Sequence, residues 1–185
     1  MNALAFGSGE AVVFDGKQEH WPEPFLYSDR VSIVFFNHSK TSELRANDKD
    51  KLNDLGFCLC MPSAVAPDIG GSYRSHQASG VVPRELLSGL FPRARDCFMK
   101  MASGRGGWSS VRRVALGVDT IGGKHAIDML SYSYGQLCRD LNRIFKLCAP
   151  PGLAWCSIDL VYCDDVTGGA SFDGKGVGLM LCLGD

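Results

Sequence analysis

Strand-like apolar runs stand at both ends of this chain, and their placement is the tightest limit on its fold. Val12 to Phe14 and Ile33 to Phe36 lie near the start, and Trp155 to Tyr162 and Val177 to Leu183 lie near the finish. Runs rich in β-branched and aromatic residues read as strands. An apolar strand left with a bare edge invites pairing with another molecule. The two ends are therefore expected to pair in one sheet system, with a ladder joining them. Two β units that do not touch would be the alternative outcome.

The first two runs are joined by a stretch with chemical character. Phe14-Asp15-Gly16 forms a turn signal, His20 follows, then Trp21-Pro22-Glu23-Pro24-Phe25, and then Asp29-Arg30-Val31-Ser32 opens the second run. A neutral imidazole is a metal ligand that suits iron. A guanidinium fork grips a carboxylate through two parallel hydrogen bonds, and a hydroxyl two residues on can donate to the same group. His20 and Arg30 are expected to face one pocket, within roughly 10 Å of each other, with Trp21 and Phe25 at its mouth. The bland alternative is an exposed, inert His20 and a surface Arg30 paired with Glu23 or Asp29.

Residues 9 to 37 resemble the C-terminal part of the 2-oxoglutarate- and Fe(II)-dependent dioxygenases. The resemblance implies that His20 is the distal iron ligand. It implies that Arg30 and Ser32 hold the far carboxylate of 2-oxoglutarate. Fe(II) and 2-oxoglutarate are then the expected cofactors, and hydroxylation of an unknown small-molecule or protein substrate the expected chemistry. The implied fold class is α+β, mainly β: a jelly-roll or double-stranded β-helix sheet with bracing helices.

The family carries a His-x-Asp pair before this segment, and no histidine precedes His20. Residues 149 to 185 look like the early strands of the same fold. Where His-x-Asp is expected they offer Ser171-Phe172-Asp173, or less well Tyr162-Cys163-Asp164. Asp173 is the candidate metal carboxylate. Two arrangements stay open: a slice from a tandem array, or a rearranged barrel whose C-terminal strands pair back onto the N-terminal ones. Either leaves the iron site short of a histidine, so weak or absent turnover is expected. A non-catalytic binding or assembly module of the same fold is the alternative. Phe14-Asp15-Gly16-Lys17 recurs as Phe172-Asp173-Gly174-Lys175, an echo of duplication or merely a common hairpin turn.

Composition excludes other classes. A net charge of −1 and a pI near 6.4 give no electrostatic footprint for nucleic acid. No run reaches the length of a membrane span, and the first residues lack the basic and apolar regions of a secretory signal. An intracellular chain, cytoplasmic or nuclear, with reduced and mostly buried thiols is expected for its eight cysteines. Cys58-Leu59-Cys60 reads as a buried strand with both thiols on one face. Tyr162-Cys163-Asp164-Asp165 matches the magnesium-binding turn of reverse transcriptases, a remote alternative without the acidic partner strand or basic groove. His38 reads as a surface residue, His76 lies in a Ser/Gly-rich loop, and His125 caps or packs before a helix.

The chain divides into three parts within one expected domain. Residues 1–40 are half-barrel-like strands, 41–110 a loop-rich connection with short helices, and 111–185 a helix with further strands. Lys40 to Leu52 reads as loop or frayed helix. Val82 to Phe91 reads as a short helix stopped before Pro92, with another turn or two over Arg93 to Met101. Val111 to Val118 reads as a strand. Ile127 to Cys148 reads as one helix, with Leu130, Tyr134, Leu137, Leu141, Ile144 and Cys148 on one apolar stripe.

Overall fold

The computed structural model describes residues 11–15, 30–38, 41–59, 77–78, 82, 84–103, 113–121, 124–149, 153–163 and 177–183. Alternation of apolar side chains builds the strands β1 (Ala11–Asp15), β2 (Arg30–Phe36), β3 (Gln77–Ala78), β4 (Arg113–Ile121), β5 (Lys124–Ile127), β6 (Ser157–Cys163) and β7 (Val177–Leu183). The helices are α1 (Ala46–Asp54), α2 (Arg84–Ser103), α3 (Leu130–Ser133) and α4 (Gly135–Cys148). The fold is α+β, and helices hold at least as much of the described chain as strands do.

All described pairings are antiparallel, in one seven-stranded sheet of order β3-β1-β7-β2-β6-β4-β5. The expected ladder between the two ends is present. β7 lies between β1 and β2, with Val12 opposite Met180 and Ile33 opposite Leu181. β6 flanks β2 on its other side, with Ile33 opposite Leu160. β7 is thus flanked by β1 and β2, and β2 by β7 and β6, so each end of the chain supplies strand partners to the other.

Successive side chains point to opposite faces of a strand. One face carries Ala11, Val13, Val31, Ile33, Phe35, Val114, Leu116, Ile158, Leu160 and Leu181, all buried. Against it pack Leu90, Ala94, Cys97 and Phe98 of α2 and Leu137, Leu141, Ile144, Phe145 and Cys148 of α4. Apart from Phe145, the α4 residues are the predicted stripe, with Leu130 and Tyr134 partly buried at its start. Phe145 sits 4.7 Å from the ring of Phe35 and 3.9 Å from that of Trp155. Burying each such side chain stabilises by about 1.5–3 kcal/mol.

Asn142 breaks the apolar pattern of α4 and is buried, but it is fully used. It donates to the Leu55 carbonyl at 2.8 Å and accepts from Trp155 Nε1 at 2.6 Å. It thereby pins the end of α1 and the approach to β6 to the same helix.

Of the two readings open for Lys40 to Leu52, helix holds over Ala46–Asp54, because Leu52 and Leu55 find the core. Three other local expectations are corrected. Pro92 does not stop α2, which runs through it. A mid-helix proline costs about 3 kcal/mol, but Leu90 and Phe98, one on either side of it, are anchored in the same core. The helix expected from Ile127 begins later and in two pieces, because Lys124–Ile127 pairs with β4 as a hairpin strand. Cys58 makes only a single bridge to Trp155 and is half-buried, and Cys60 lies outside the described residues.

The thiol expectation holds where it can be read. Cys97, Cys138, Cys148 and Cys156 are free and buried. Burial pushes the thiols of Cys97 and Cys138 up to about 12 and that of Cys148 to about 11. These are packing groups rather than nucleophiles. No described helix is long and apolar enough to cross a membrane.

Candidate functional site

The reverse face of the sheet is also shielded from solvent, although none of its residues belongs to the helix-packed core. Val12, Ser32, Val34, Ala115, Ser157, Asp159 and Val161 are all buried there. Strand alternation places Arg30, Ser32 and Val34 at positions of one parity in β2. Register then sets Ser32 opposite both Val161 and Cys182, and Val34 opposite both Asp159 and Met180. Arg113 is opposite Val161, and Ala115 opposite Asp159. Ser32 of the predicted carboxylate clamp thus shares a sheet face with an acidic and basic pair.

That pair is Asp159 and Arg113. Arg113 Nε donates to Asp159 Oδ2 at 2.7 Å, and Arg113 Nη2 donates more weakly to Asp119 Oδ1 at 3.4 Å. The Asp159 side chain is 8% exposed and that of Arg113 49%. Asp159 Oδ1 is buried and has no hydrogen-bond partner among the described residues. Burial raises the Asp159 carboxyl above the usual carboxylate range, against the opposing pull of Arg113. An apolar floor of valines and alanine keeps the local dielectric low, which strengthens charge-assisted bonds made there. Sequence reasoning passed over both residues. The signal was present as a lone carboxylate inside the apolar run Ser157-Ile158-Asp159-Leu160-Val161.

The other predicted site residues fare differently. Ser32 is 4% exposed, in the middle of the sheet. Arg30 is the first residue of β2, with its backbone opposite Cys163. His20, Asp173, Trp21, Phe25, Ser171 and His76 lie outside the described residues, as do Asp164 and Asp165 of the reverse-transcriptase-like turn. Tyr162, the histidine-replacing residue of the alternative register, belongs to the helix-facing side. Its ring lies 5.8 Å from Phe98, so it packs away from Ser32.

Two histidines are corrected. His38 is half-buried rather than a surface residue: its backbone N–H donates to Cys156 Sγ at 3.3 Å, and its Nε2 donates to the Val118 carbonyl at 3.2 Å. His125 sits in β5, opposite Thr120. The two rings lie 4.9 Å apart between centroids. Desolvation lowers the pKa of His38, helped by the neighbouring His125, so its imidazole is neutral at pH 7. Among the described residues, no three His, Cys, Asp or Glu side chains gather as a metal-binding group. No protein-family model, curated protein or solved structure matches this chain.

Proposed function

We propose that this chain is a carboxylate-binding protein of the 2-oxoglutarate oxygenase type, built on a rearranged jelly-roll sheet, with weak or no turnover. The observation that carries the reading is the position of Ser32. It is buried at the centre of the sheet, two residues from Arg30 on the same strand, on a face floored by Val34 and Val161. A small dicarboxylate such as 2-oxoglutarate would lie on that face. Arg30 would hold its far carboxylate by a bidentate fork, with the Ser32 hydroxyl beside it. The interleaving of β1, β7, β2 and β6 supports the rearranged arrangement over the tandem slice.

The donor set for iron is short. His20 and Asp173 supply one imidazole and one carboxylate, where the oxygenase centre uses two imidazoles and a carboxylate. Iron, when held, would supply the oxidative step of hydroxylation. The chain's own residues would bind and orient the acid.

Titration calorimetry with 2-oxoglutarate tests the clamp. The wild-type chain is expected to bind, and Arg30→Ala to weaken binding tenfold or more, since a charge-assisted bond contributes about 1.5–3 kcal/mol. Arg30→Lys keeps the charge but loses the fork, so its affinity should fall between the two. An unchanged affinity in Arg30→Ala would remove Arg30 from the site. A second measurement addresses turnover. Conversion of 2-oxoglutarate to succinate with added Fe(II) and ascorbate should stay near background and be insensitive to His20→Ala. Robust turnover that disappears in His20→Ala would show that a further histidine completes the triad.

A further inference from the structure

The pairing of His38 with His125 has a geometry that packing alone does not require. The ring of His38 is fixed by two contacts. Its Nε2 donates to the Val118 carbonyl at 3.2 Å, and the edge of Phe36 lies against it with 5.2 Å between centroids. A carbonyl only accepts, so the proton sits on Nε2 and Nδ1 keeps a bare lone pair. His125 is held in the same manner across the β4–β5 hairpin, with Nδ1 3.3 Å from Thr120 Oγ1. In the tautomer whose Nδ1–H donates to that hydroxyl, Nε2 of His125 carries a bare lone pair.

Two imidazoles, each with one ring nitrogen in a hydrogen bond to an oxygen, form the arrangement in which histidines ligate metals. The spacing agrees. Metal–nitrogen bonds of 2.0–2.1 Å at angles near 100° put the centroids of neighbouring imidazole ligands roughly 5 Å apart. The observed separation is 4.9 Å. Asp119 is opposite Ala126, one residue out of phase with Thr120 and His125, and is hydrogen-bonded to Arg113; the charges of both also act on His38.

We propose that His38 and His125 bind a divalent first-row transition cation, such as Zn²⁺ or Ni²⁺, with water completing its coordination. The site is separate from the carboxylate clamp and does not depend on it. It would tie the end of β2 to the β4–β5 hairpin, two segments that meet here without a strand pairing between them. Imidazole nitrogen selects such cations over the oxygen-seeking Mg²⁺.

The test uses the full chain after chelator treatment, titrated calorimetrically at neutral pH with Zn²⁺, Ni²⁺ or Mg²⁺ alone. The expected result is one equivalent of Zn²⁺ or Ni²⁺ and no uptake of Mg²⁺. Affinity should fall at least tenfold in His125→Ala and in His38→Ala, and to a smaller degree in Thr120→Ala, which frees the His125 ring. His125 is half-exposed, so His125→Ala, or His125→Gln as a second variant, should unfold at the same midpoint as wild type without metal. Absence of saturable uptake by the wild-type chain would overturn the proposal. So would uptake that survives both single variants, or uptake lost in His20→Ala and retained in His125→Ala.

Discussion

Gly117→Ala is expected to destabilise this protein by more than about 4 kcal/mol, with a large fall in the urea midpoint. Gly117 has φ +85°, in the left-handed region, where a side chain costs about 1–2 kcal/mol. The larger cost is space. A Cβ there would overlap the Cys156 carbonyl oxygen and stand 2.7 Å from Phe57 Cζ. The carbonyl is backbone and cannot turn aside, because it accepts from Val118 N–H at 2.8 Å. Gly117 N–H donates to Ser131 Oγ at 2.7 Å, and its carbonyl accepts from Asp128 N–H at 2.9 Å. Relief therefore means separating β4 from β6 at the point where β4 passes from β6 to β5. Gly89→Ala is the control. It lies exposed on α2, where a Cβ meets only the Arg93 guanidinium at 3.8 Å, and the change should stabilise by up to about 1 kcal/mol. Urea denaturation compares the two, and a Gly117→Ala chain with the wild-type midpoint would refute the account.

Arg113→Ala is expected to cost about 2–3 kcal/mol at neutral pH. Breaking a fully buried pair costs about 3–5 kcal/mol, and the half-exposed Arg113 justifies the lower figure. The reason is Asp159, which would be left buried, charged and without the guanidinium it accepts from. Its folded pKa already lies above the ordinary 3.8 because of burial, and loss of Arg113 would raise it further. A carboxyl whose folded pKa exceeds its unfolded one favours folding when protonated. That contribution is complete below 3.8 and is lost as pH rises through the folded value. The gap between Arg113→Ala and wild type should therefore be widest at neutral pH and close as the solution is acidified. The double variant Arg113→Met with Asp159→Leu should recover most of the loss, since an apolar pair can replace a buried ionic one. A gap that is constant with pH would show that Arg113 acts only through its packing.

Much of the frame was legible because it rests on local pattern. The runs at Val12, Ile33, Ser157 and Val177 are strands, and the argument from bare edges paired them across the whole length of the chain. The stripe from Leu137 to Cys148 needed only the helical period. The misreadings share one cause, which is that distant partners outweighed local signals. Pro92 is a strong helix stop, yet Leu90 and Phe98 are held by the sheet on either side of it. His125 and Ile127 looked like the approach to a helix, and the hairpin with Thr120 and Val118 made them strand.

The site divides in the same way. Residue types and the spacing of Arg30 and Ser32 were readable along the chain, because two residues of one strand two apart share a face. The partnership of Arg113 with Asp159, and that of His38 with His125, joins residues 46 and 87 positions apart. The sequence by itself determined which segments alternate, and the bare-edge argument favoured pairing of the two ends over two separate β units. Only the tertiary structure decided which polar groups share the reverse face and which imidazoles stand together. Periodicity specifies the face of a single element, whereas contact between elements depends on register, and register is settled by packing of the whole sheet against α2 and α4.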